Sequence, residues 1–166
     1  NEEMSFQTLI GYDGSLRKAI QLAKAAILYP NQSLNVLISC KVGCGTTSFA
    51  YAMYCFAREN GVIKKEAPYV KINCRHFSKN ISVLDNELFG IGHDLNKSCF
   101  MKAKGGVLFL DNVDLLDAKQ QSQLYTFLET NIIYSEDGTK SKECKDIFVI
   151  ISQSPQSNMQ FERIIP

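Results

Sequence analysis

No charge of either sign dominates this chain, no apolar stretch in it matches a membrane span, and its cysteines carry no metal-site spacing. Eighteen lysines and arginines stand against seventeen acidic residues, a formal charge of +1 over 166 residues. So small a field holds neither a nucleic acid nor an anionic bilayer, and DNA contact is expected only through another domain. No run of about 18 apolar residues occurs, and the opening NEEMSFQ has no secretory-signal pattern. A cytoplasmic protein with no membrane partner is the expectation. The cysteines at 40, 44, 55, 74, 99 and 144 form no C-x-x-C pair, and neither His76 nor His93 belongs to an H-x-x-x-H pair. Reduced, partly buried thiols are therefore expected in place of disulfides or a zinc site. Internal repeats, low-complexity segments and linkers are lacking as well, and the 45% of hydrophobic residues suffices for one core, so residues 1–166 are read as one domain.

What is there alternates between strand and helix patterns. Leu16, Ala19, Ile20, Ala23, Ala26 and Ile27 recur at helical spacing between Ser15 and Tyr29, and Pro30 stops the run. Val36 to Ser39 reads as a short buried strand and Thr47 to Glu59 as a helix that ends at Asn60-Gly61. Tyr69 to Asn73 is a second strand and Val83 to Phe89 a short helix. Val107-Leu108-Phe109-Leu110 is continuously apolar, as strands buried on both faces of a parallel sheet are. Asp117 with Gln120 begins a helix over Ala118 to Glu129 in the manner of a capping box. Ser135 to Lys145 reads as a hairpin or exposed loop, and Ile147 to Ile151 as the last strand. This order predicts an α/β fold, a three-layer α/β/α sandwich with a mainly parallel sheet.

The stretch VLISCKVGCGTTSFA, residues 36–50, has the strand, turn and helix order of the phosphate-binding pattern G-x-x-x-x-G-K-[ST] without its lysine. Laid on that pattern, Cys40 takes the first glycine, Gly45 the second, Thr46 the lysine and Thr47 the magnesium-touching hydroxyl. Backbone N–H groups of such a turn can hold phosphate without side-chain charge, which makes Cys40, Gly43, Cys44, Gly45, Thr46, Thr47 and Ser48 the candidate nucleotide contacts. Ligands of parallel sheets sit at the carboxyl ends of the strands, where Asp111, Ser152 and Gln153 would converge with the turn. Asp111 and Thr47 are the candidate magnesium ligands. Where a water-polarising glutamate follows the aspartate in hydrolases of this type, the chain has Asn112, and an amide is no base at neutral pH. The bland alternative makes Gly43 and Gly45 ordinary turn residues and Asp111 a helix cap.

LIGYDGSL (9–16), AKAAILYP (23–30), APYVKINCRHFSKN (67–80), ELFG (87–90), GGVLFLDNVDLL (105–116) and the closing FERIIP together resemble the AAA+ module of bacterial sigma-54-dependent activators. Within that family they are most similar to the levanase-operon-regulator type, which controls sugar phosphotransferase-system operons. The resemblance implies a P-loop NTPase core, ATP and magnesium as ligands, self-association into a ring, and contact with sigma-54 RNA polymerase. It also makes Ser152 and Gln153 sensor candidates and Arg163 an arginine-finger candidate. The chain departs from the family at Cys40, at Thr46, at Asn112, and after ELFG, where IGHDLNKS (91–98) stands in place of the GAFTGA loop that touches sigma-54. The expectation is a degenerate regulatory or assembly module with weak or lost ATP binding and impaired or absent hydrolysis, and without the sigma-54 contact. The competing expectation is a working ATPase whose Lys41 reaches the phosphates from the entry side of the turn. No helical lid follows FERIIP, so the sequence is expected to be one piece of a longer regulator.

Overall fold

The computed structural model describes residues 6, 14, 16–30, 35–39, 45–77 and 79–155. Four strands, β1 (Val36–Ser39), β2 (Tyr69–Asn73), β3 (Val107–Asp111) and β6 (Phe148–Gln153), form one sheet in the order β1-β6-β3-β2. Every pairing in it is parallel. The two central strands are buried at every residue, which is why both read as unbroken apolar runs.

Alternation along β3 and β6 divides the interior into two cores. Val107, Phe109, Phe148 and Ile150 face α1 (Arg17–Ile27) and α2 (Thr46–Glu59), and pack with Ile20, Ala23, Ile27, Ala50 and Met53. Leu108, Leu110, Val149 and Ile151 face the other way, toward Leu84 and Leu88 of α3 (Ile81–Phe89), Phe100 of α4 (Cys99–Lys102), and Leu124 and Phe127 of α5 (Ala118–Thr130). Helices on both faces of a parallel sheet are the three layers expected.

Local chemistry sets the helix ends. Gly45, at φ 87°, turns the chain into α2, and Gly61, at φ 68°, follows its end. At α5 the Asp117 side chain accepts from Gln120 N at 2.7 Å while Gln120 Oε1 accepts from Asp117 N at 3.1 Å, the reciprocal box the sequence predicts. The polar stretch after α5 is a hairpin of β4 (Ile132–Tyr134) and β5 (Ser141–Glu143), paired antiparallel.

Several boundaries differ from expectation. The first helix is described over Arg17–Ile27, with Leu28 and Tyr29 outside it; α2 starts one residue early, at Thr46, and α3 two residues early, at Ile81. The last strand begins at Phe148 and continues through Ser152 and Gln153, whose polar side chains are buried at the sheet's end. Cys55, Cys74, Cys99 and Cys144 are buried free thiols, while Cys40 and Cys44 lie outside the described residues. Among the described residues no helix is long and apolar enough to cross a membrane.

Candidate functional site

Parallel register brings three strand ends together. Asn73 of β2 lies opposite Asp111 of β3, and Leu110 lies opposite Ile151, which sets Asp111 beside Ser152 of β6. Asp111 is 6% exposed, so its carboxylate needs donors. Ser152 Oγ donates to Asp111 Oδ1, and Thr46 Oγ1 donates to the same oxygen at 3.4 Å. Ser152 Oγ in turn accepts from the backbone N–H of Asn112 at 2.9 Å.

Asn112 leaves β3 in the left-handed region, φ 60° and ψ 48°, which asparagine tolerates better than most residues. Its amide nitrogen donates to Asn73 Oδ1 at 2.8 Å, and that oxygen also accepts from Arg75 N at 3.0 Å. With Oδ1 so engaged, the Asn73 amide nitrogen faces His76 Nε2 at 3.4 Å. On the other flank Asp114 accepts from Ser154 N at 3.2 Å. Cys74, next to Asn73, is fully buried, and burial, then the charges of Asp111 and Asp114, push its thiol up to about 12. It is a packing residue, not a nucleophile.

The start of α2 closes the site from above. A helix's first turn leaves N–H groups without intrahelical acceptors, and no acidic side chain occupies the first turn of α2. Thr46 is half-buried against Asp111, while Thr47 and Ser48 are exposed. So the hydroxyl that reaches Asp111 belongs to the residue in the lysine position, not to Thr47. One carboxylate with neighbouring hydroxyls fits magnesium's habit of taking one or two carboxylates and completing its shell with water and phosphate. The arrangement can hold an anion and a hydrated cation. Among the described residues, the side chain that follows Asp111 is an amide bonded to Asn73.

The structure therefore joins Thr46, Asp111, Asn112 and Ser152 directly. Gln153 is buried at the end of β6, opposite Ser39. Cys40, Gly43, Cys44 and Arg163, and with them Lys41, lie outside the described residues. Sequence reasoning missed Asn73, whose part follows from register alone; its signal was a polar residue ending the strand adjacent to Asp111's own.

The segment after ELFG lies close to the body. Residues 91–93 and 95–97 form two 3₁₀ turns, with Leu95 buried. Asp94 accepts from Asn96 N at 3.1 Å, Ser98 caps α4 through Met101 N at 3.2 Å, and Lys142 Nζ from the hairpin donates to Asn96 Oδ1 at 2.6 Å. Gly90, at φ 99°, approaches so closely that a Cβ there would stand 2.0 Å from the Asp94 carbonyl oxygen.

A family described as the Sigma-54 interaction domain matches residues 9–163. The transcriptional regulatory protein LevR of Bacillus subtilis is 31% identical over 171 residues, covering 96% of this chain and 18% of LevR. The transcriptional regulatory protein DagR of Salmonella typhimurium is 38% identical over 133 residues, covering 75% of this chain and 14% of DagR. The chain thus spans less than a fifth of the length of these curated relatives. Among solved structures, NtrX of Brucella abortus in complex with ADP superposes with a TM-score of 0.64 at 24% identity, covering 90% of this chain and 31% of that one. A RuvB mutant of Thermotoga maritima does so with a TM-score of 0.56 at 16% identity, covering 91% and 42%. At such identities the likeness is one of fold.

Proposed function

The chain belongs to the Sigma-54 interaction domain family, and on that footing we propose that it is a degenerate AAA+ module of a cytoplasmic transcriptional regulator of sugar phosphotransferase-system genes. In this reading it serves assembly or regulation, as part of a ring in the full-length protein, and does not hydrolyse ATP. DNA is reached through another domain. The observation that carries the reading is Asn112: the residue after Asp111 is an amide, and its nitrogen is engaged by Asn73 at 2.8 Å. An amide so placed takes no proton from water.

NtrX has been crystallised with ADP and with ATP, which supports reading the start of α2 as the nucleotide end of this fold. Backbone N–H groups of Gly45, Thr46, Thr47 and Ser48 would hold phosphate oxygens, and Asp111 with Thr47 would hold magnesium. Bound magnesium would neutralise phosphate charge. Thr46 in place of lysine removes one charge-assisted phosphate contact, a loss of roughly 1.5–3 kcal/mol, or one to two decades of affinity. The close packing of residues 90–98 supports a chain that presents no sigma-54 contact loop.

The competing reading, a working ATPase that uses Lys41, is supported by the retained Asp111 and the glycine-led start of α2. Steady-state phosphate release with ATP and magnesium separates the two. The expected result is release at background, unchanged in Asp111→Ala. Release that disappears in Asp111→Ala overturns the proposal.

A further inference from the structure

The formal charge of +1 averages over an uneven distribution. Residues 94–104 and 140–146 hold six of the eighteen basic residues, all of them lysine, against Asp94, Glu143 and Asp146. The remainder of the chain has twelve basic and fourteen acidic residues, so its charge is of the opposite sign. A net charge near zero is compatible with a strong field over one face.

Folding joins the two stretches into such a face. Lys142 Nζ of the hairpin donates to the side chain of Asn96, the neighbour of Lys97, at 2.6 Å. Cys144 Sγ lies 3.3 Å from Sδ of Met101, the neighbour of Lys102. Gly105 N donates to Asp146 O at 2.7 Å, which sets the chain at Lys104 beside the chain at Lys145. Burial pushes the Cys144 thiol up, and the charges of Lys104 and Lys142 both pull against that shift, as two cations near one sulfur do. Two of the three carboxylates are engaged locally: Asp94 accepts from Asn96 N at 3.1 Å, and Glu143 pairs with Lys145 at 3.0 Å. Lys97, Lys102 and Lys104 are exposed and form no ion pair with another described residue.

What the face lacks narrows its partner. The exposed large apolar residues nearest in sequence, Ile91 and Tyr134, fall outside both stretches, so the lysines surround no apolar anchor of the kind that centres a protein interface. No exposed aromatic ring stands among them to stack an unpaired base, and no arginine to fork onto a base edge. We propose that the face formed by Lys97, Lys102, Lys104 and Lys142 binds the phosphate backbone of double-stranded DNA without reading its sequence. Lysine ammonium groups act there as point charges that displace the counterions condensed on the duplex. Recognition of a particular sequence stays with another domain, and this face adds a second, sequence-independent hold on the same duplex.

Fluorescence anisotropy tests this with the chain and a labelled duplex of about 25 base pairs, over roughly 50–200 mM salt. Two triple variants lose the same net charge: Lys97→Gln, Lys102→Gln, Lys104→Gln on the face, and Arg17→Gln, Lys18→Gln, Lys64→Gln at exposed positions of α1 and beyond α2. In wild type the slope of log affinity against log salt is expected near −4, about one per lysine. The face variant should lower its magnitude by about 3 and weaken binding at low salt at least about tenfold, Lys104→Gln alone should lower it by about 1, and the control triple should leave it in place. Duplexes of unrelated sequence should bind alike. Because all six positions are exposed, the circular dichroism melting curve should not move. Equal losses in the two triple variants, or a wild type that takes up no duplex at about 50 mM salt, overturn the proposal. Polyglutamate bound as tightly as duplex overturns it as well, and makes the face a site for an acidic protein segment.

Discussion

The middle of β3 and its carboxyl end lie only a few residues apart and obey different rules. In the middle, Leu108, Phe109 and Leu110 have no exposure at all and are held by packing on both faces. At the end, Asp111 and Asn112 are held by Thr46, Ser152 and Asn73, each through a side-chain hydrogen bond of specific direction. Any apolar residue of fitting volume satisfies the first environment, whereas the second depends on which atom donates and which accepts. A fold can therefore persist in the middle while the chemistry at the end is exchanged. Here Thr46 and Asn112, together with Asp111, Ser152 and Asn73, form a polar cluster joined by hydrogen bonds.

That contrast breaks if end and middle respond alike. Phe109→Ala should have the largest effect, about 3–5 kcal/mol of unfolding free energy by denaturant titration, because it opens a cavity at the sheet's centre. At the end, Asn112→Gly should cost about 1 kcal/mol for the lost bond to Asn73, and Asn112→Ala about 1 kcal/mol more, since alanine in the left-handed region is strained where glycine is not. A double-mutant cycle with Asn73→Ala should return a coupling of about 1 kcal/mol; a coupling of zero would mean the amide pair is incidental. Smallest of all, Lys119→Ala removes a fully exposed ion pair with Glu136 and should leave the unfolding midpoint in place. A clear shift there would show that the hairpin's attachment to α5 matters more than its exposure suggests.

How much of this was legible in the chain follows the same divide. VLFL announced β3, Asp117 with Gln120 announced α5, and the β-branched run announced β6, since burial and capping leave periodic or fixed-offset marks. The 3₁₀ turns at 91–97 and the single turn of α4 left no such mark. They are too short for periodicity, and their anchors, buried Leu95 and the Lys142–Asn96 bond, come from tertiary contact. At the site, motif spacing located Asp111, Asn112 and Ser152. It missed Asn73, whose role is a matter of strand register, and it did not foresee that Thr46 would donate to Asp111, because spacing does not say which way a first-turn side chain turns.

Parity along β3 has a consequence for signalling. Asp111 shares its face with Val107 and Phe109, toward α2, whereas the hairpin and the 91–98 turns are packed through Ile133, Cys144 and Leu95 into the core on the opposite face. A ligand at α2 and a partner at the hairpin would thus be listening through a wall. Among the described residues, one way around that wall is the carboxyl rim, where Asn112 bonds to Ser152 and Asn73 while Val113, next in the chain, is buried in the opposite core.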